Sequence, residues 1–150
     1  MSSPSEPRVV EASREIDADA ARIFELIADP ARQPTWDGND NLAEASPGQR
    51  VARVGDVFAM TLTGGQVRHN HVVEFVEGRV IAWRPSEPDG DPPGHIWRWA
   101  LAPQDDQRTL VTHTYDWTDL TDPSRMERAR TTTADKLGAS LARLAEVVEG

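Results

Sequence analysis

Apolar positions along this chain follow two different periods. From Leu42 to Trp117 they alternate with polar ones, as side chains do on the two faces of a strand. Beyond Trp117 the step changes. Met126, Thr133, Leu137, Leu141, Leu144 and Val148 recur at three- and four-residue intervals, the period of one helix face. This predicts a single amphipathic helix over 124–149, roughly 39 Å long at ~1.5 Å per residue. Asp122 is a good N-cap, and Pro123 suits a first helical position, where no backbone donor is needed. A long final helix after a run of strands predicts a helix laid across a curved sheet.

The alternating region divides into strands near 42–46, 50–63, 66–77, 79–85, 95–103 and 108–118. The separators are turn chemistry: Ser46-Pro47-Gly48, Gly64-Gly65, Glu77-Gly78, a Pro-rich loop at 85–94, and 104–107. Short separators imply antiparallel hairpins, and Gly55-Asp56 reads as a bulge inside its strand. Upstream, 8–16 forms a first strand. Asp17 then caps a short helix over 18–28, with Ala20, Ile23, Phe24 and Ile27 on one face. Asp29-Pro30 stops that helix, 31–36 adds another helical turn, and 37–41 is a loop. On the central strands Val67, His69, His71, Val73 and Phe75 share a face with Ile81, Trp83, Trp97, Trp99, Leu101, Val111, His113, Tyr115 and Trp117. The other face carries Arg68, Asn70, Glu74, Arg84, Arg98, Thr112, Thr114 and Asp116, charges able to pair across strands. This assignment takes the register as unbroken; one bulge inverts part of it.

Composition narrows the picture. A chain of 150 residues with 38% hydrophobic and 27% charged residues reads as an ordinary soluble globule, with one domain over 8–150 behind a mobile polar tail at 1–7. No stretch approaches the ~20 apolar residues of a membrane span, and no signal peptide opens the chain. The absence of cysteine removes disulfides and thiolate sites and fits a cytoplasmic protein. A net charge of -9 argues against nucleic acid and against an anionic membrane surface as partners. A monomer and a homodimer are equally compatible with these features.

Local residues carry a family resemblance. Asp29-Pro30 with Pro34-Thr35-Trp36, Val73-Glu74-Phe75 with the segment from Gly78 to Trp83, Trp97-Arg98-Trp99, and Thr109-Leu110-Val111-Thr112 fall in order along the chain. With the order of elements, they make the chain resemble the START-like helix-grip superfamily, SRPBCC. That superfamily includes polyketide cyclase/dehydrase-like and birch-pollen-allergen-like proteins. The resemblance runs from about Val9 to Glu149. It implies an α+β helix-grip fold: a curved antiparallel sheet of about seven strands wrapped around a long C-terminal helix, with two short helices after the first strand. It also implies a cavity between helix and sheet for lipids, sterols, polyketides or other apolar molecules. The family has no shared catalytic motif to carry over, so activity must be read from the site.

Read alone, each aromatic ring on the inner face fills core. Together, Trp83, Trp97, Trp99, Tyr115 and Trp117 suit a ligand pocket better than a solid interior, because buried indole N–H groups need partners. Phe58, Met60, Val73, Met126, Leu137 and Leu141 complete the apolar wall, and Trp36 borders the mouth as an anchor or a gate. Asp37, beside Gly38, begins a turn. His69 and His71, two apart on one strand, lack the third ligand a metal site needs, so neither metal nor cofactor is expected. His71 is the best acid–base candidate, with His113 and Tyr115 as companions, and His69 is pocket lining or strand end. His95, in the Pro/Gly loop, is expected to be exposed. The first expectation for function is a binder of a small hydrophobic or aromatic molecule. The alternatives are a polyketide cyclase, aromatase or dehydratase using pocket His and Tyr groups, and a co-chaperone-like interaction module. No nucleotide-binding glycine loop or serine-triad signature is present.

Overall fold

In the computed structural model, residues 7–149 are described; most of the expected N-terminal tail lies outside them. Seven strands form one open antiparallel sheet in the order β1-β7-β6-β5-β4-β3-β2. They are β1 (Val9–Ile16), β2 (Leu42–Glu44), β3 (Val57–Leu62), β4 (Val67–Val76), β5 (Val80–Ser86), β6 (Ile96–Asp105) and β7 (Arg108–Asp116). β1 and β2 are the two edges, so the chain between them must cross the sheet. It does so through helix α1 (Ala20–Ala28) and a 3-10 helix, Pro30–Thr35. The cap of α1 is Asp19, which accepts from the Arg22 N–H at 3.3 Å, rather than Asp17. Asp29 accepts from the Ala31 N–H at 3.3 Å and so starts the 3-10 helix.

The expected strand over 50–63 is shorter. Gly55 takes φ +96°, and the Asp56 carboxylate accepts from the N–H groups of Ala52 (2.8 Å) and Arg53 (3.2 Å). These bonds close a tight turn, and the expected bulge follows it: the Gly55 N–H donates to the Val72 carbonyl and the Val72 N–H to the Asp56 carbonyl, both at 2.9 Å, so two residues oppose one and β3 begins only at Val57. Next to this turn the Gln49 amide pairs with the outer edge of β3, accepting from the Ala59 N–H at 2.7 Å and donating to the Ala59 carbonyl at 3.2 Å.

The larger correction lies in β4. Val72 pairs with Trp83 and Glu74 with Ala82, so Val73 is an extra, unpaired residue. Before this bulge, even-numbered residues face the core; after it, odd-numbered ones do. Phe75 therefore reaches Phe24, ring centroids 5.7 Å apart. His69, His71 and Val73 lie on the opposite face from the core, whereas Asn70 and Val72 are buried. The outward charges pair as anticipated in one place. Arg98 grips Glu74 at 2.8 Å across the intervening Ala82. That ion pair is largely solvent-exposed, so its contribution is on the order of 0.2–1 kcal/mol.

The C-terminal segment is two helices, α2 (Pro123–Arg130) and α3 (Ala134–Glu149), where one continuous helix was expected. Three consecutive threonines separate them. The hydroxyls of Thr131 and Thr132 donate to the Arg128 carbonyl at 2.7 and 3.3 Å, and the Thr133 hydroxyl accepts from the Lys136 N–H at 3.4 Å. Local hydroxyl bonds thus compete with the helix ladder and re-cap the chain. Asp122 caps α2 as expected, accepting from the Ser124 N–H at 3.0 Å. The far half of α3 sits on the sheet, with Leu141, Leu144 and Val148 in one core with Ile16, Ile23, Ile27, Trp99 and Val111.

Two glycines test this packing. A Cβ on Gly38 would enter the backbone of α3 at Ala139, whereas one on Gly138 meets open space. Gly38→Ala should lose about 1–3 kcal/mol through overpacking. Gly138→Ala should gain about 0.5–1 kcal/mol from lower chain entropy in a helix interior. Urea unfolding of the two variants measures both; effects of the same sign would contradict the close fit of the 37–41 loop against α3.

Candidate functional site

α3 covers only part of the sheet. Under its first turns and α2 lies a cavity of about 360 Å³. Its floor is Trp83 on β5, Trp97 and Trp99 on β6, and His113 and Tyr115 on β7, with Met60 and Asn70 toward the other edge. Ala129, Leu137 and Ser140 form the roof. Gln33 and Trp36 form one side wall. Both are tied back to α1: Gln33 Nε2 donates to the Ile27 carbonyl at 2.9 Å and Trp36 Nε1 to the Leu26 carbonyl at 2.7 Å. Trp36 meets Trp99 edge-on at 5.0 Å.

The floor is an aromatic stack. Trp99 and His113 lie face to face at 3.7 Å and 14°, and Trp97 leans on Tyr115 at 4.4 Å. Alternate positions of adjacent antiparallel strands meet this way because Trp99 pairs with His113 and Trp97 with Tyr115. Trp99 Nε1 and both ring nitrogens of His113 are buried and reach no hydrogen-bonding group of the protein. Burial alone pushes the His113 pKa down to about 3. Burial pushes Tyr115 up to about 12, against the opposing pull of Arg128 and Arg125. Both groups are therefore neutral across the physiological range.

The rim is polar. Asp37 accepts from the N–H groups of Asn39 (3.1 Å), Asn41 (2.6 Å) and Leu42 (2.7 Å), which makes it the turn former expected of it. Ser140 Oγ accepts from the Gly38 N–H at 3.2 Å and so latches this loop to α3. Arg68, Arg125, Arg128 and Lys136 also line the opening. Arg125 faces Glu87 at 3.6 Å and Asp122 at 3.4 Å. His95, expected in solvent, instead lines the cavity, 5.9 Å from the Tyr115 ring; next to it Gly94, at φ +125° and with no room for a Cβ, packs against the Asp119 backbone. Burial first, and then the charges of Arg125, Arg128, Arg68 and Arg84, lower its pKa to about 4. Among the described residues no cluster of His, Asp and Glu has the arrangement of a metal site.

The nominated residues divide into three groups. Trp36, Met60, Trp83, Trp97, Trp99, His113, Tyr115 and Leu137 line the cavity. Phe58, Trp117, Met126 and Leu141 pack behind its walls; Phe58 supports Trp83 at 5.3 Å, and Trp117 lies under the Arg8 guanidinium at 4.7 Å. His69, His71 and Val73 face away, a consequence of the bulge, and His71 Nε2 hydrogen-bonds Ser86 Oγ at 2.9 Å instead. Arg68, Asn70, His95, Arg125 and Arg128 were missed. The signal for the first two was the adjacent pair Val72-Val73, which breaks strict alternation and marks the slip.

The architecture recurs in solved structures. A Chromobacterium violaceum protein, CV1439, matches over 97% of this chain and 99% of its own, at TM-score 0.64 and 22% identity. A Mesorhizobium loti protein, MLL2253, matches over 95% and 97% at TM-score 0.69 and 14% identity. The Aha1 dimer from Colwellia psychrerythraea matches over 94% and 96% at TM-score 0.65 and 15% identity. At such identities these likenesses establish the helix-grip fold alone. In sequence, an uncharacterized Mycobacterium tuberculosis protein is 32% identical over 115 residues, 74% of this chain and 48% of the relative. The chain thus spans about half the length of that curated relative. The family model described as polyketide cyclase/dehydrase and lipid transport matches residues 7–149, and the chain belongs to that family.

Proposed function

We propose that this protein binds a small, largely apolar or aromatic molecule in the cavity between the sheet and the C-terminal helices. One observation carries the reading: an aromatic cavity of about 360 Å³ lies between the sheet and the C-terminal helices, floored by Trp83, Trp97, Trp99, His113 and Tyr115. The volume lies at the lower end of the ~300–1,000 Å³ range of small-molecule sites. Apolar surface of the aromatic floor supplies affinity.

The same groups argue against proton-transfer chemistry. A general acid or base works best with a pKa near the operating pH. His113 at about 3 and Tyr115 at about 12 are far from neutrality in opposite directions, and His71 is on the other face of the sheet. Binding is therefore favoured over a cyclase or dehydratase activity. The family description, which includes lipid transport, is compatible with this choice.

A panel of fatty acids, sterols and polyphenols tests the reading. A true ligand quenches tryptophan fluorescence and raises unfolding stability, by about 2.7 kcal/mol at a hundredfold excess over Kd. Trp97→Leu removes an indole from the floor and should weaken that ligand several-fold. Silence across the whole panel in both readouts would sink the proposal.

The neutral state of His113 has its own signature. In the unfolded chain it titrates near ~6.5; in the folded protein its pKa falls to about 3. Below pH 6.5 the unfolded chain takes up a proton that the folded one refuses. The contribution is fully present above pH 6.5 and is lost toward pH 3, at about 1.4 kcal/mol per pH unit. Wild type and His113→Phe, unfolded in urea at pH 7, 6 and 5, should diverge with wild type falling faster. Parallel curves would show that His113 is not held neutral.

A further inference from the structure

The rim of the cavity is charged in the opposite sense to the protein as a whole. The chain carries -9, yet Arg68, Arg125, Arg128 and Lys136 line the opening with one carboxylate, Asp37. Both Asp37 oxygens are already occupied by backbone N–H groups. Arg125 shares Glu87 and Asp122. Arg68 donates only to the neighbouring Val67 carbonyl at 3.2 Å, and Arg128 to Asn41 Oδ1 at 3.4 Å. Among the described residues neither Arg68 nor Arg128 has a carboxylate within ion-pairing distance.

Gathering these guanidinium groups is costly. Arg68 is half-buried, and its pKa is lowered first by that burial and then by the charges of Arg125 and Arg128, with the more distant Glu87 offsetting only part of this. An oxyanion placed among them would relieve both costs, through charge-assisted bonds of the kind guanidinium makes with carboxylate and phosphate. The interior below has no charged side chain. Its walls are mostly indole, phenol, neutral imidazole, Met60 and Leu137, with the uncharged polar groups of Gln33, Asn70 and Ser140 among them, and they accept a hydrocarbon body and reject a buried charge. Apolar depth and cationic rim thus specify two ends of one molecule.

We infer that the cavity takes an amphipathic anion, its apolar body lying among the indoles and its compact oxyanion head, carboxylate or phosphate, held at the rim by Arg68 and Arg128. This rests on the reading of the cavity as a ligand site and adds the charge of the ligand to it. The size follows from the volume. A methylene occupies about the volume of a water, ~30 Å³, so 360 Å³ admits a chain of about ten to twelve carbons.

Four ten-carbon probes make the test: decanoate, decyl phosphate, decanol and decyltrimethylammonium, titrated by calorimetry against wild type and the double variant Arg68→Gln/Arg128→Gln. Wild type should bind one or both anions at least tenfold tighter than decanol, with the ammonium weakest, and the tighter anion names the head. Raising NaCl from 50 to 500 mM should narrow the gap. The double variant should lose the preference while keeping decanol affinity, which also reports that it is folded. Decanol equal to both anions on wild type overturns the charge inference and leaves the apolar reading standing. A preference for anions that survives in the double variant overturns the role of these two arginines. Failure of all four probes on wild type overturns both readings.

Discussion

Side chains on an antiparallel strand alternate between faces, and one unpaired residue inverts that alternation for everything on one side of it. Val73 is that residue here. With it in place, Phe75 meets Phe24 in the core while Asn70 and Arg68 face the cavity from the same strand. Without it, two imidazoles would face the cavity and an arginine would leave it. The chemistry of the site therefore depends on a backbone irregularity at a residue that never touches the cavity.

A second constraint is how far the terminal helices reach. Leu141, Leu144 and Val148 fill the space above β1 and β7, which closes one end of the molecule. Toward the other end the roof comes from Ala129 and Leu137, on either side of the threonine break, and the space beneath stays open. Its walls hold groups whose neutral forms are enforced by burial, while its opening collects guanidinium groups. A largely aromatic interior with a charged margin separates the hydrophobic and electrostatic contributions in space, so each can be altered without the other.

Much of the fold was legible because periodicity reports burial directly. The strands after Gly65, their hairpins and the apolar face of α3 follow from alternation and helical spacing, and family resemblance added the order of elements. The helix break was hidden because Thr133 fits the helical stripe, while the competing hydroxyl bonds of Thr131 and Thr132 are a matter of side-chain geometry. The site was partly legible. Trp83, Trp97, Trp99, His113 and Tyr115 sit on regular strands and were assigned to the right face. His69, His71 and Val73 were not, because a two-residue period has no memory of a bulge. His95, Arg125 and Arg128 arrive from a loop and a helix whose placement depends on tertiary contacts such as Arg125 with Glu87.

The Gln49 amide on β3 has a consequence for solubility. A free strand edge is a template for another chain, and short β2 shields only the far end of β3. By engaging both backbone groups of Ala59, the amide imitates a neighbouring strand one residue wide. A second molecule extending the sheet at this point would first have to evict that plug, so the protein guards against edge-to-edge aggregation with one side chain where others use a proline or a charge.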